Sequence, residues 1–184
     1  MELIVHLQDL KEGTVRLIID HPPEFFELED REFEFPAPVQ GEVLFRKVGK
    51  NILARGWLKT TVKTVCVRCL EDVHLEINAK VELTYSNDPK YKEQPIDIDP
   101  MADIVYFFEG ELIEPKEQLR ELIMAELPFL PLCKPDCKGL CPFCGINLNQ
   151  ESCNCQIEKK REMDEAIHEW KAVLKRIRAQ QLNG

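Results

Sequence analysis

The sequence contains no apolar run approaching the roughly 20 residues that a membrane-spanning helix needs, so no membrane anchor of that kind is expected. Its first residues, Met1-Glu2-Leu3-Ile4-Val5, carry neither a basic n-region nor a long apolar stretch, and a secretory signal is not expected either. A cytoplasmic protein is the resulting expectation. Enzymatic signatures are also missing. There is no Walker A loop, no G-x-G-x-x-G, no G-x-S-x-G, and no H-E-x-x-H spacing among the scattered His6, His21, His74 and His168. A non-catalytic protein without a small-molecule substrate follows. Tryptophan is scarce. Trp57 and Trp170 fall in strand and helix patterns, and both are expected in the core rather than as platforms for stacked bases. Repeats and low-complexity tracts are absent, which leaves 184 residues, 44% hydrophobic and 31% charged, for one ordinary domain or a domain with an appendage.

The net charge of -9 argues against a polyanion as partner, but its distribution does not. Residues 1–40 carry three Lys/Arg against ten Asp/Glu, and residues 71–132 carry five against fifteen. Between them, residues 41–70 hold Arg46, Lys47, Lys50, Arg55, Lys59, Lys63 and Arg68 against Glu42 alone. A second basic cluster, Lys171, Lys175, Arg176 and Arg178, lies near the C-terminus. These two clusters are the candidate phosphate contacts. The alternative is that the cations neutralise the acidic segments within the fold.

The first half reads as β-structure. Leu3–Leu7 and Thr14–Ile19 are short apolar, β-branched runs. Val43–Val48 and Ile52–Leu58 flank a Gly49-Lys50-Asn51 turn. From Asp72 to Tyr85 apolar and polar residues alternate, which predicts an antiparallel strand with one face in the core. Thr60–Val65 is rich in β-branched residues, so Cys66-Val67-Arg68-Cys69 lies at a hairpin tip. A polar loop over Ser86–Pro100, a strand over Ile104–Phe108 and a helix from Pro115 to Leu127 are expected next. Residues 157–177 carry apolar positions at helical spacing. The predicted fold is α+β: an antiparallel β-sheet with a short helix, a Cys-rich zinc cluster and a long C-terminal amphipathic helix. The corresponding division is 1–132, 133–155 and 156–184.

Eight cysteines form four close pairs, Cys66-x2-Cys69, Cys133-x3-Cys137, Cys141-x2-Cys144 and Cys153-x-Cys155. In a protein expected in the cytoplasm, this pattern points to metal rather than disulfides. Four pairs are the arithmetic of two tetrahedral four-thiolate zinc sites, with iron also compatible. Redox chemistry is disfavoured because Cys66 follows one strand and leads into another, rather than opening a helix. One grouping joins Cys66, Cys69, Cys133 and Cys137, leaving Cys141, Cys144, Cys153 and Cys155 for the second ion. The rival joins Cys133, Cys137, Cys141 and Cys144. The first is preferred, since it leaves no pair unpartnered.

Four stretches together carry a family resemblance: Cys66-Val67-Arg68-Cys69-Leu70, the Leu119–Leu127 helix, Leu127-Pro128-Phe129-Leu130-Pro131-Leu132-Cys133, and Cys137-Lys138-Gly139-Leu140-Cys141-Pro142-Phe143-Cys144-Gly145-Ile146-Asn147-Leu148-Asn149. They resemble the YceD family of large ribosomal RNA subunit accumulation proteins, over about residues 40–155. The resemblance implies a role in accumulation of 23S rRNA and large-subunit assembly, with rRNA or a precursor particle as partner and a basic ribosomal protein as the alternative. It also implies that the Cys141–Cys155 site is optional, because some members lack it, which favours the first grouping.

Overall fold

A computed structural model of the chain describes residues 3–92 and 104–182, with side chains throughout except at 11, 12, 156, 172, 173 and 175–182. The chain divides into two compact units, Met1–Thr64 with Asp72–Pro131, and Val65–Glu71 with Leu132–Gly184.

The first unit holds strands β1 (Val5–His6), β2 (Thr14–His21), β3 (Val39–Val48), β4 (Asn51–Val65), β5 (Asp72–Ser86), β6 (Val105–Phe107) and β7 (Leu112–Ile113), and helix α1 (Lys116–Ala125). A five-stranded sheet runs β2-β3-β4-β5-β6, and β1 pairs with β7 in a separate two-stranded sheet. The expected hairpin is present, with Val48 opposite Asn51 and pairing continuing to Gln40 opposite Lys59. Gly56 lies opposite Val43, where a Cβ would overlap the Glu42 backbone, so the residue type is dictated by how closely the strands approach. The sheet is mixed rather than wholly antiparallel. β6 pairs parallel to β5, with Thr84 opposite Val105, because the connection from Ser86 is long enough to return the chain to the same end. The loop expected over Ser86–Pro100 lies outside the described residues beyond Lys92.

The two-residue alternation on β5 places Val73, Ile77, Ala79, Val81, Leu83 and Tyr85 inside and Glu76, Asn78, Lys80 and Glu82 outside. On β4 the same alternation buries Ile52, Ala54, Leu58, Thr60, Val62 and Thr64. Trp57 therefore falls on the solvent side, 52% exposed, and the expectation that it is a core residue is overturned by strand parity. Phe26, Phe45, Leu58, Leu119 and Ile123 are among the largest fully buried side chains, with α1 packed on β5. Truncating a core residue such as Phe45 to alanine costs about 3–5 kcal/mol. Helix α1 starts after Pro115 and ends at Ala125, two residues short of the expected Leu127, with Glu126 as its cap.

The second unit holds the cysteines and helix α2 (Cys155–Leu182). Beyond Cys155 every described side chain of α2 is exposed, including Met163, Ile167 and Leu174. Trp170, expected in the core, is exposed with them. Among the described residues no helix is long and apolar enough to cross a membrane.

Candidate metal centres

Two Cys-x2-Cys turns build the sites in the same way. In the first, the Leu70 N–H donates to the Cys66 carbonyl (2.9 Å) and the Cys66 N–H to the Glu71 carbonyl (2.8 Å). In the second, the Gly145 N–H donates to the Cys141 carbonyl (2.9 Å) and the Cys141 N–H to the Ile146 carbonyl (2.8 Å). The fifth residue of each turn is left-handed: Leu70 has φ 60° and Gly145 has φ 73°. This tight curl carries both sulfurs of each pair to one side and turns backbone N–H groups toward them.

Cys66, Cys69, Cys133 and Cys137 form one group, and Cys141, Cys144, Cys153 and Cys155 form another; within each, the sulfurs all lie within 4.8 Å of one another. These are the two sets in the preferred sequence grouping. The Sγ atoms of Cys66 and Cys137 are 3.8 Å apart, and those of Cys69 and Cys133 3.6 Å. A tetrahedral zinc ion with Zn–S of about 2.3 Å requires S···S edges of about 3.8 Å, so the donor set fits such an ion in both number and spacing. Cys66, Cys69 and Cys137 are buried and Cys133 is exposed, whereas in the second group only Cys141 is buried.

The local fields differ from thiol to thiol. Burial opposes ionisation of Cys66, but the N–H groups of Cys133, Arg68 and Cys69 together outweigh it and bring the thiol down to about 6. The N–H groups of Cys144 and Phe143 bring Cys141 down to about 6 as well. Burial, followed by the neighbouring thiols of Cys137, Cys69 and Cys66, pushes Cys133 up to about 12. The Cys144 thiol, followed by burial, pushes Cys155 up to about 12. Each cluster thus contains thiols that amide donors draw toward ionisation and thiols that burial and crowded neighbours hold back from it. A cation is the group that removes this conflict, because it stabilises all four thiolates together.

One supporting residue has no signature in the spacing. The Asn149 amide Nδ2 donates to Cys137 Sγ at 3.2 Å and is the largest influence lowering that thiol. Asn149 Oδ1 accepts from the Lys138 N–H (2.9 Å) and its N–H donates to Asn147 Oδ1 (3.0 Å), while Asn147 Nδ2 reaches Glu71 Oε1 (3.1 Å). The segment between Cys144 and Cys153 therefore braces the other cluster. Only the Asn-x-Asn pair, rich in side-chain amides, could have drawn attention to it.

The basic residues separate into two sets. Lys59 pairs with Glu76 (2.9 Å), and Lys63 with Asp72 (3.4 Å) and Glu34 (3.8 Å). Arg68 donates to the Cys137 carbonyl (2.9 Å), within the first cysteine group. Arg46, Lys47, Lys50 and Arg55 form no ion pair among the described residues and sit on the β3–β4 hairpin. Lys171 is exposed on α2, and the side chains of Lys175, Arg176 and Arg178 lie outside those described.

The family model described as large ribosomal RNA subunit accumulation protein YceD matches residues 54–176, which include all eight cysteines. The chain belongs to the YceD family. Relatives include an uncharacterized protein of Mycobacterium leprae, 29% identical over 62% of this chain and 51% of its own length. The chloroplastic large ribosomal RNA subunit accumulation protein YCED homolog 1 of Arabidopsis thaliana is 26% identical over 71% of this chain and 47% of its own. The homolog of the same name in Zea mays is 28% identical over 55% and 43%. This YceD chain thus spans about half the length of the relatives it matches. No solved structure matches it.

Proposed function

We propose that this chain is a non-catalytic factor in 23S rRNA accumulation and large ribosomal subunit biogenesis, acting in the cytoplasm by binding rRNA or a large-subunit precursor particle. Membership of the YceD family, whose description names large ribosomal RNA subunit accumulation, supports the reading. Cys66, Cys69, Cys133 and Cys137 hold one structural zinc ion, and Cys141, Cys144, Cys153 and Cys155 hold another. Zinc supplies cross-linking here rather than catalysis, because four thiolates leave no open coordination position. Iron fits the same sulfur set, and metal analysis of the purified protein separates the two.

RNA contact is assigned to the β3–β4 hairpin, where Arg46, Lys47, Lys50 and Arg55 stand free of ion pairs among the described residues. Lys59, Lys63 and Arg68 already have partners and contribute less. Lys171, Lys175, Arg176 and Arg178 form the secondary contact. Crosslinking in cells with mapping of the bound fragments tests this: 23S rRNA fragments should be enriched and should disappear with Arg46→Glu/Arg55→Glu. In vitro affinity should fall steeply with salt, with a shallower slope in that variant. Salt-insensitive binding, or binding unchanged by the reversals, rules out phosphate contact at this hairpin.

One surface favours a second reading, a zinc-stabilised adaptor holding a basic ribosomal protein. Glu29, Asp30 and Glu32, with Arg31 among them, border a cleft of about 590 Å³ that also includes Phe129, 93% exposed. An RNase-resistant complex with a basic ribosomal protein, lost in Phe129→Ala, supports the adaptor over direct RNA binding.

A further inference from the structure

The displaced tryptophan has a setting of its own. Trp57 lies on the outward side of β4 with Arg55 and Lys59 two residues away on the same face. Register places Glu42 beside Trp57 and Leu44 beside Arg55, and on β2 it places Ile18 beside Glu42 and Arg16 beside Leu44. Ile18, Leu44 and Trp57, all exposed, lie on three neighbouring strands as an apolar patch, with Glu42 directly between Ile18 and Trp57 and Leu44 diagonal to both. Cations border it. The outward positions of β2–β4 carry Arg16, Arg46, Arg55, Lys59 and Lys63 against Asp20 and Glu42. Arg16 pairs with Glu42 at 3.1 Å, Lys59 with Glu76 and Lys63 with Asp72 and Glu34, so Arg46 and Arg55 are the cations without an ion pair among the described residues. The acids collect on β5, at Asp72, Glu76 and Glu82. Glu82 is held mainly by Lys80, with Arg55 a weaker influence.

We propose that the outward face of β2, β3 and β4 is a platform for single-stranded RNA, on which Trp57 stacks an unpaired base while Arg46 and Arg55 hold flanking phosphates. The proposal rests on the RNA-binding reading above and narrows it to unpaired segments. A duplex keeps its bases stacked internally and offers this face only phosphates, whereas a single strand can lay a base on an indole and its backbone on neighbouring guanidiniums. The cationic border favours a polyanion and disfavours a basic protein segment on the same half of the sheet.

The full-length, metal-loaded chain carrying Trp170→Phe has Trp57 as its single indole, so its emission reports on this face. The probes are a mixed-sequence oligoribonucleotide of about a dozen nucleotides and the same strand annealed to its complement. The single strand should quench the emission and bind more tightly than the duplex. Trp57→Ala should weaken single-strand binding by about tenfold or more, leave duplex binding nearly unchanged, and be largely rescued by Trp57→Phe. Both variants should melt near the parent, since the ring is half exposed. If RNA binds but the emission and the Trp57→Ala affinity do not respond, the platform is refuted while rRNA binding stands. If neither RNA form binds the parent chain, both ideas fail. Quenching by a basic ribosomal-protein segment alone would transfer the face to protein recognition and overturn the proposal.

Discussion

The Asn149 side-chain nitrogen lies 3.2 Å from the Cys137 sulfur, joining the segment that carries one cysteine cluster to a ligand-type residue of the other. The amide steadies a thiolate without occupying a coordination position. Asn149→Ala should therefore weaken metal binding at the Cys66, Cys69, Cys133 and Cys137 group by about tenfold to a hundredfold, the range typical of lost supporting hydrogen bonds. Asn149→Asp should be worse, because it sets a carboxylate against the sulfur. Chelator competition on each variant measures this, and equal loss from both groups would mean the amide acts on the unit as a whole.

The two groups should also differ in how readily they release metal. Three of the four cysteines in the first group are buried, against Cys141 alone in the second. Chelators and oxidants reach exposed sulfur first. One equivalent of metal should leave quickly and one slowly, with Cys144→Ser abolishing the fast phase and Cys66→Ser the slow one. A single phase, or loss of the same phase in both variants, contradicts the grouping.

Dependence on pH follows from the thiol shifts. Cys66 and Cys141 sit at about 6 in the fold, below the free-thiol value of about 8.5. Their stabilisation is present above the free value and lost as pH falls through about 6. Cys133 and Cys155, pushed up to about 12, act with the opposite sign. Without metal, their contribution is present below the free-thiol value and lost as pH rises toward about 12. Metal-free protein should therefore lose stability on both sides, whereas metal-loaded protein should lose it only on acidification, as protons displace the ion. Melting curves with and without chelator across this range are the measurement.

What the sequence disclosed depended on how local the signal was. The β5 alternation from Asp72 to Tyr85 was readable because period two is a property of adjacent residues, and the cysteine pairs were readable because a four-thiolate site constrains spacing within each knuckle. The failures were long-range or a matter of parity. Trp57 reads as a core residue because it falls in a strand pattern, yet neighbouring Leu58 takes the inward position and the alternation turns Trp57 out. The parallel pairing of β6 depends on where a long connection returns, which no local pattern encodes. Asn149 carries no local signal because its partner, Cys137, is fixed only when the chain between them folds back.

That fold-back passes through Gly139, which supplies the last test. Its φ is 77°, and a Cβ there would stand 2.9 Å from the Arg68 carbonyl oxygen, which already accepts the Leu140 N–H at 3.0 Å. Gly145 has a similar φ of 73° but open space around its Cβ position. The pair separates backbone strain from steric overlap. Gly145→Ala should cost about 1–2 kcal/mol through the left-handed conformation alone. Gly139→Ala should cost more, because the methyl group meets a backbone oxygen that must move or lose its hydrogen bond. Displacing Arg68 moves the loop bearing Cys66 and Cys69, so the excess should appear as weaker metal binding at their group, with the Cys141 group retained. Denaturant melts and metal counts on the two alanine variants measure both effects. Equal destabilisation with equal metal content would show that the contact between Gly139 and Arg68 is incidental to the site.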